Sequence, residues 1–215
     1  IPLRSTGRVM NSSELKLLYE AQETIMEMLA LGGSRNQCLD QVCLSIEALI
    51  DPEGARSSIL FLQSGQLKHG AAPRLPTAYC QAIDGTTIGP KVGSCGTACY
   101  LNQPVIVEDI NTSPLWEDYR ALAADSNLRA CWSHPILSSN RQVLGSFAVY
   151  YDQPRRPTQA ELTCIGKFTH LTSLIIEKSL MEERQSRLRQ KVAQAQAKFQ
   201  AFAQVLPDVA LVLDD

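Results

Sequence analysis

No apolar run in this 215-residue sequence approaches the roughly 18 residues of a membrane-spanning helix. Basic excess is missing too. The net charge is −2 and the isoelectric point is near 6.0, so neither nucleic acid nor an anionic membrane is an expected partner. No CxxC pair occurs among the seven cysteines, Cys38, Cys43, Cys80, Cys95, Cys99, Cys131 and Cys164. An odd number without close pairs argues against a disulfide framework or a structural zinc site. Most of them read as small apolar core residues in a reducing compartment. The Walker loop, GxSxG and HExxH are all absent. Glu108-Asp109 and Glu117-Asp118 are adjacent carboxylates, which diverge in direction and do not face each other across a bond. No catalytic residue, metal site or cofactor is expected on these grounds. The chain opens on Ile1-Pro2-Leu3 without an initiator Met or a signal-peptide apolar segment. It reads as a piece of a longer cytoplasmic polypeptide.

What the sequence has is the composition of a globular protein, 45% hydrophobic and 20% charged. Asn11-Ser12-Ser13 can cap a first helix in which Leu15, Leu18, Gln22, Ile25 and Leu29 alternate at spacings of three and four. Gly32-Gly33 ends it, and Ser34 caps a second helix that closes at Asp51-Pro52-Glu53-Gly54. Residues 57–62 and 66–71 form a hairpin around Ser64-Gly65. Short helices are expected over residues 76–83, 93–101 and 114–124, and strands over 105–107, 129–137 and 143–151. From Thr158 a helix runs to about Gln204.

In that helix Leu171, Leu174, Met181, Leu188, Val192, Ala195, Phe199 and Phe202 keep the same alternation, with Lys178 and Gln185 at the two polar places. A heptad this long predicts a coiled coil. A homodimer is expected through Leu171, Leu174, Met181, Leu188, Val192 and Phe199, with Leu15, Leu18 and Ile25 joining it. Lys178 and Gln185 would weaken the coil and set its register.

Several motifs, in order, resemble a GAF domain. Ile88-Gly89-Pro90-Lys91-Val92-Gly93-Ser94-Cys95-Gly96-Thr97-Ala98 is similar to the family's glycine-rich segment. Pro104 to Ile110 resembles its central strand, and Pro114 to Tyr119 with Leu128 to Ile136 the helix and strand that follow. Val143 to Tyr150 is similar to the last strand. The resemblance implies an α+β fold: a central antiparallel sheet of five or six strands, terminal helices on one face, and short helices and loops over the other. The division expected is 1–12 upstream linker, 13–175 GAF domain with its N-terminal helix, 176–205 coiled-coil signalling helix, and 206–215 the opening strand of a PAS-like domain. The family's setting in bacterial histidine kinases and cyclic di-GMP enzymes implies an input module for an effector elsewhere.

Five residues are candidates for lining a ligand pocket. Cys95 sits in a glycine-flanked turn entering a helix, where an anion or a thiolate is favoured; the alternative is a small residue filling buried space. Trp116 and Tyr119, three apart, share a helix face and serve either as a lid or as an anchor. Trp132 and His134 share a strand face and can line one pocket, whereas Cys131 and His134 point to opposite faces. Free methionine sulfoxide reductases are GAF proteins with a cysteine in a similar glycine-rich segment, but Cys131 does not stand at their matching spacing. Nor is Cys131-Trp132-Ser133-His134 the Cys-His dipeptide that attaches a bilin in phytochromes. The expected function is therefore a dimeric, non-catalytic sensor. A haem or bilin sensor and a thiol redox switch are the alternatives.

Overall fold

A computed structural model describes residues 10–210, with side chains through residue 202. Two capping boxes start the chain's order. Asn11 and Glu14 exchange side-chain-to-backbone bonds at the head of α1 (Ser12–Ala30), and Ser34 and Gln37 do so at α2 (Arg35–Ile50). The hairpin β1 (Arg56–Gln63) and β2 (Gln66–Ala71) follows, then α3 (Thr77–Ile83), α4 (Gly93–Leu101) and β3 (Val105–Val107). The expected short helix at Pro114 is two pieces, a 3-10 turn Pro114–Tyr119 and α5 (Arg120–Asp125). Then come β4 (Ala130–Leu137), β5 (Val143–Tyr151) and α6 (Gln159–Ala210).

The five strands make one antiparallel sheet in the order β2-β1-β5-β4-β3. Helix α2 and the first part of α6 cover one face, with α1 against α2; α3, α4, the 3-10 turn and α5 cover the other. In the central strands both faces are buried, so consecutive residues serve two different cores. Trp132, Ile136, Phe147, Val149 and Tyr151 join the helix-side core. Their neighbours Cys131, Ala148 and Tyr150 join the opposite one.

Arg155 closes the helix-side layer. Its guanidinium pairs with Asp51 at 3.1 Å and with Glu161, and stands 4.3 Å over the Tyr151 ring. Its carbonyl accepts from Trp132 Nε1 at 3.1 Å. One arginine thus ties the end of α2, β4, β5 and the first turn of α6 together.

Two of the expected dimer contacts on α1 are not available for that role. Leu18 and Ile25 are buried in the helix-side core, as is Leu171 on α6, while Leu15 and Leu174 remain exposed. The three-four spacing of the first helix marks the stripe that packs within the protomer. From Glu177 onward α6 forms a separate unit. There Met181, Leu188, Val192, Phe199 and Phe202 are all more than half exposed. The strand expected from Leu206 does not begin there: residues 206–210 continue α6, and residues 211–215 lie outside those described.

Gly145 on β5 is fixed by close approach, since a Cβ there would come within 2.0 Å of the Leu60 carbonyl oxygen across the β1–β5 pair. Replacing Gly145 by Ala should force these central strands apart and cost on the order of 2–4 kcal/mol of unfolding free energy. Denaturant melts of the two proteins measure it; equal midpoints would contradict the close approach.

Candidate functional site

The glycine-rich segment folds as the start of α4, laid across the sheet face opposite the terminal helices. Gly93 takes a left-handed φ of +54°, which lets the chain turn into the helix beside the Trp116 ring. Ser94, completely buried, is the polar pivot. Its Oγ donates to the Cys131 carbonyl at 3.2 Å and accepts from Trp116 Nε1 at 3.0 Å. The residue before Cys95 is thereby tied both to β4 and to the 3-10 turn.

Cys95 faces the sheet. Its sulfur lies 3.5 Å from the Tyr150 hydroxyl, which also meets Ser58 Oγ at 3.1 Å. Tyr150 pairs directly across the strands with Cys131, so Cys131 presents its thiol to the same spot. Beneath them Ser133 and Ser146 are linked at 2.5 Å, and Tyr79 meets the Tyr150 ring edge-on at 5.9 Å.

The electrostatics sort these groups. Hydrogen bonding from the Cys131 thiol holds Cys95 below the ordinary thiol range against the opposing effect of burial, and the Tyr150, Ser133 and Ser146 hydroxyls act in the same direction. Burial raises Cys131 far above that range, and donation to Cys95 raises it further. Burial likewise raises Tyr79 and Tyr150. Cys95 is the acidic member of the pair.

A cavity of about 30 Å³ opens between Cys95, Tyr79, Trp116, Tyr119 and Tyr150. One water needs roughly 10–15 Å³ of such space. A tetrapyrrole or nucleotide occupies a pocket of several hundred Å³, so either would have to displace the aromatic walls. A larger cavity of about 120 Å³ lies among Met10, Leu49, Ile50, Arg155, Glu161 and Cys164 on the helix side. Arg155 and Glu161 already pair with each other there.

Of the five residues expected to share a pocket, three do so: Cys95, Trp116 and Tyr119. Trp132 and His134 do not. They share a face as expected, but it is the helix-side face, where Trp132 bonds to Arg155 and His134 pairs with Phe147. Trp116 is buried and bonded, hence an anchor, whereas Tyr119 is half-buried at the rim. Sequence reasoning missed Ser94, Tyr79, Cys131 and Tyr150. The signal for the last two was available in the same alternation: placing Trp132 on one face places Cys131 on the other. Among the described residues, no three His, Cys, Asp or Glu side chains cluster as a metal site would need.

Comparison with known proteins agrees with this architecture. The sequence profile of the GAF domain matches residues 33–177. The methyl sulfide methyltransferase-associated sensor of Methanosarcina acetivorans is 33% identical over 168 residues, which is 76% of this chain and 16% of that protein. The chain thus spans under a fifth of that relative's length. The GAF domain of a phosphoenolpyruvate-protein phosphotransferase from Coxiella burnetii superposes with a TM-score of 0.65 at 14% identity, covering 80% of this chain and 96% of its own. The free methionine-R-sulfoxide reductase of Neisseria meningitidis, solved with its substrate, gives 0.60 at 15% identity, covering 82% of this chain and 98% of its own. At such identities these two structures are similar in fold alone.

Two substitutions test the site and its reverse face. Ser94→Ala leaves the buried Trp116 Nε1 without its acceptor and should lower stability by roughly 1–3 kcal/mol; a loss well below that, read by denaturant unfolding, would mean the bond contributes little. His134 has a buried Nδ1 with no hydrogen-bond partner among the described residues, and burial lowers its pKa from 6.5 to about 4. Below pH 6.5 the unfolded chain takes up a proton that the folded chain refuses until about pH 4, so stability falls across that window. His134→Gln should remove on the order of 1–2 kcal/mol of the stability difference between pH 7 and pH 4.5. Parallel pH profiles for variant and parent would contradict this.

Proposed function

This chain belongs to the GAF family, and from that premise we propose that it is a non-catalytic sensory module which dimerises through the later part of α6 and relays a signal to an effector elsewhere in a longer protein. The observation that carries the reading is the exposed stripe Met181, Leu188, Val192, Phe199, Phe202 on a continuous helix. Large apolar residues on the core positions of a heptad, interrupted by polar Gln185 and unburied in the protomer, call for a partner helix. The occupant is a second copy of the same helix, because the stripe continues one unbroken heptad and is therefore self-complementary in register. The relative named as a sensor supports a regulatory role. A two-component or cyclic di-GMP effector, a PAS-like domain downstream and a cytoplasmic setting complete the proposal.

The charges beside the stripe make the coil weak. In a parallel, in-register pair, Glu177 of one copy meets Glu182 of the other and Arg184 meets Arg189, each contact unfavourable by a few tenths of a kcal/mol. Within each helix, Lys178–Glu182 at 3.2 Å and Glu183–Arg187 at 4.0 Å offset part of this. A marginal coil suits a relay, because a signal of a few kcal/mol can shift its equilibrium. The pocket side fits the same role. With room for about two or three waters, the site takes a ligand only by moving Tyr79, Trp116 or Tyr119. A haem or bilin sensor would need the greatest such movement, which disfavours that reading.

Sedimentation equilibrium tests the dimer. The expected result is a concentration-dependent dimer that tightens as salt rises, since screening relieves like-charge contacts. Leu188→Glu with Val192→Glu, both on exposed positions, should make it monomeric without lowering the melting temperature. A monomer at all concentrations, or a dimer loosened by salt, would refute the parallel coil.

A further inference from the structure

We propose that Cys95 and Cys131 form a dithiol that a small hydroperoxide converts to an internal disulfide. The assignment does not rest on dimerisation or on an effector.

Three geometric observations converge. The two thiols approach the same point from different elements, Cys95 from the first turn of α4 and Cys131 from β4. The Tyr150 hydroxyl lies 3.5 Å from the Cys95 sulfur, and Tyr150 is the direct cross-strand partner of Cys131. The backbones are also tied, because Ser94 Oγ donates to the Cys131 carbonyl at 3.2 Å. A disulfide between residues already held side by side needs little backbone movement.

The chemistry divides between the two sulfurs. Cys95, held in the more acidic state by the groups donating to it, supplies the thiolate. It attacks one peroxide oxygen; the O–O bond breaks, and the leaving oxygen takes a proton as water or alcohol. The resulting sulfenic acid is attacked by Cys131, the S–S bond forms, and the hydroxyl leaves with the Cys131 proton as water. Two thiols are oxidised by two electrons, and one peroxide is reduced.

Access sets the oxidant class. Cys95 reaches the cavity, but a space of about 30 Å³ admits something little larger than water. Hydrogen peroxide fits; a bulky organic hydroperoxide or a disulfide such as glutathione disulfide does not. Other thiols answer differently. Burial pushes Cys99 up to about 12, which leaves it protonated. Half-exposed Cys80 is open to reagents of any size, so its oxidation reports exposure and not this site.

The full chain, reduced and then exposed to hydrogen peroxide, is alkylated under denaturing conditions and its peptides are mapped. The expected product is a Cys95–Cys131 cross-linked peptide that disappears on treatment with dithiothreitol. Cumene hydroperoxide should form it roughly tenfold more slowly, because the cavity excludes it. Cys131→Ser should leave a Cys95 sulfenic acid that dimedone traps, and Cys95→Ser should leave Cys131 fully alkylatable. Oxidation confined to Cys80, a Cys95–Cys99 link, or oxidation of Cys131 in the Cys95→Ser variant would each overturn the proposal. If either variant fails to fold, the wild-type peptide map decides alone.

Discussion

Burial of both faces of the β4–β5 pair is the constraint on which the rest of this structure depends. A strand alternates its side chains strictly, so a strand packed on both sides must serve two cores with consecutive residues. Cys131 and Trp132 are one residue apart and end in different chemistry. The first lies among tyrosine and serine hydroxyls under α4, and the second under Arg155 beside the terminal helices. A slip of one residue in register would bury the indole under α4 and push the thiol among the terminal helices. The close approach at Gly145 helps hold that register, because no side chain can stand where β1 passes.

The site gains its character from the hydroxyls that this register brings in. Ser58, Ser133, Ser146 and Tyr150 belong to β1, β4 and β5, are buried, and bond to one another or to Cys95. Buried polar groups of this kind are costly unless each is satisfied, and here they satisfy one another around a sulfur. The result is a site that stabilises negative charge on Cys95 without a cationic side chain. It is also a tight site, walled by aromatic rings. Any ligand larger than a few atoms must offset the energy of moving those rings, so its binding is inseparable from a change of shape.

Much of this was legible in the sequence, for identifiable reasons. Helix caps at Asn11 and Ser34, the hairpin at Ser64-Gly65 and the prolines at 154 and 157 are local signals, and the elements stand where those signals place them. The glycine-rich segment marked Cys95 and the aromatic pair marked Trp116 and Tyr119, and all three line one cavity. Reading failed where the answer depended on which face of an element points where. Trp132 and His134 were correctly put on one face, but no local feature says which core that face enters. Leu18 and Ile25 failed in the same way: a three-four stripe packs equally well against a neighbour in the same protomer or in another. Beyond Glu177 the large apolar residues of the heptad stay exposed, so packing among the described residues does not account for that stripe.

The same two-sided burial gives chemistry at the thiols a short physical path to the terminal helices. Cys131 is followed by Trp132, whose indole nitrogen bonds to the Arg155 carbonyl, and the Arg155 guanidinium pairs with Glu161 in the first turn of α6. A path of contacts transmits nothing by itself; it needs an element with two discrete arrangements whose balance each end can bias. Joining Cys95 to Cys131 supplies two such states for β4. In one, α4 is held to the strand by the hydrogen bond from Ser94. In the other a covalent bond is added, and the Cys95 sulfur turns from Tyr150 toward Cys131. Because β4 has no slack face, a displacement forced on one side is passed to the other through the adjacent residue. That is a more direct coupling than a ligand pressing on the half-buried rim at Tyr119, which touches only the site's outer wall.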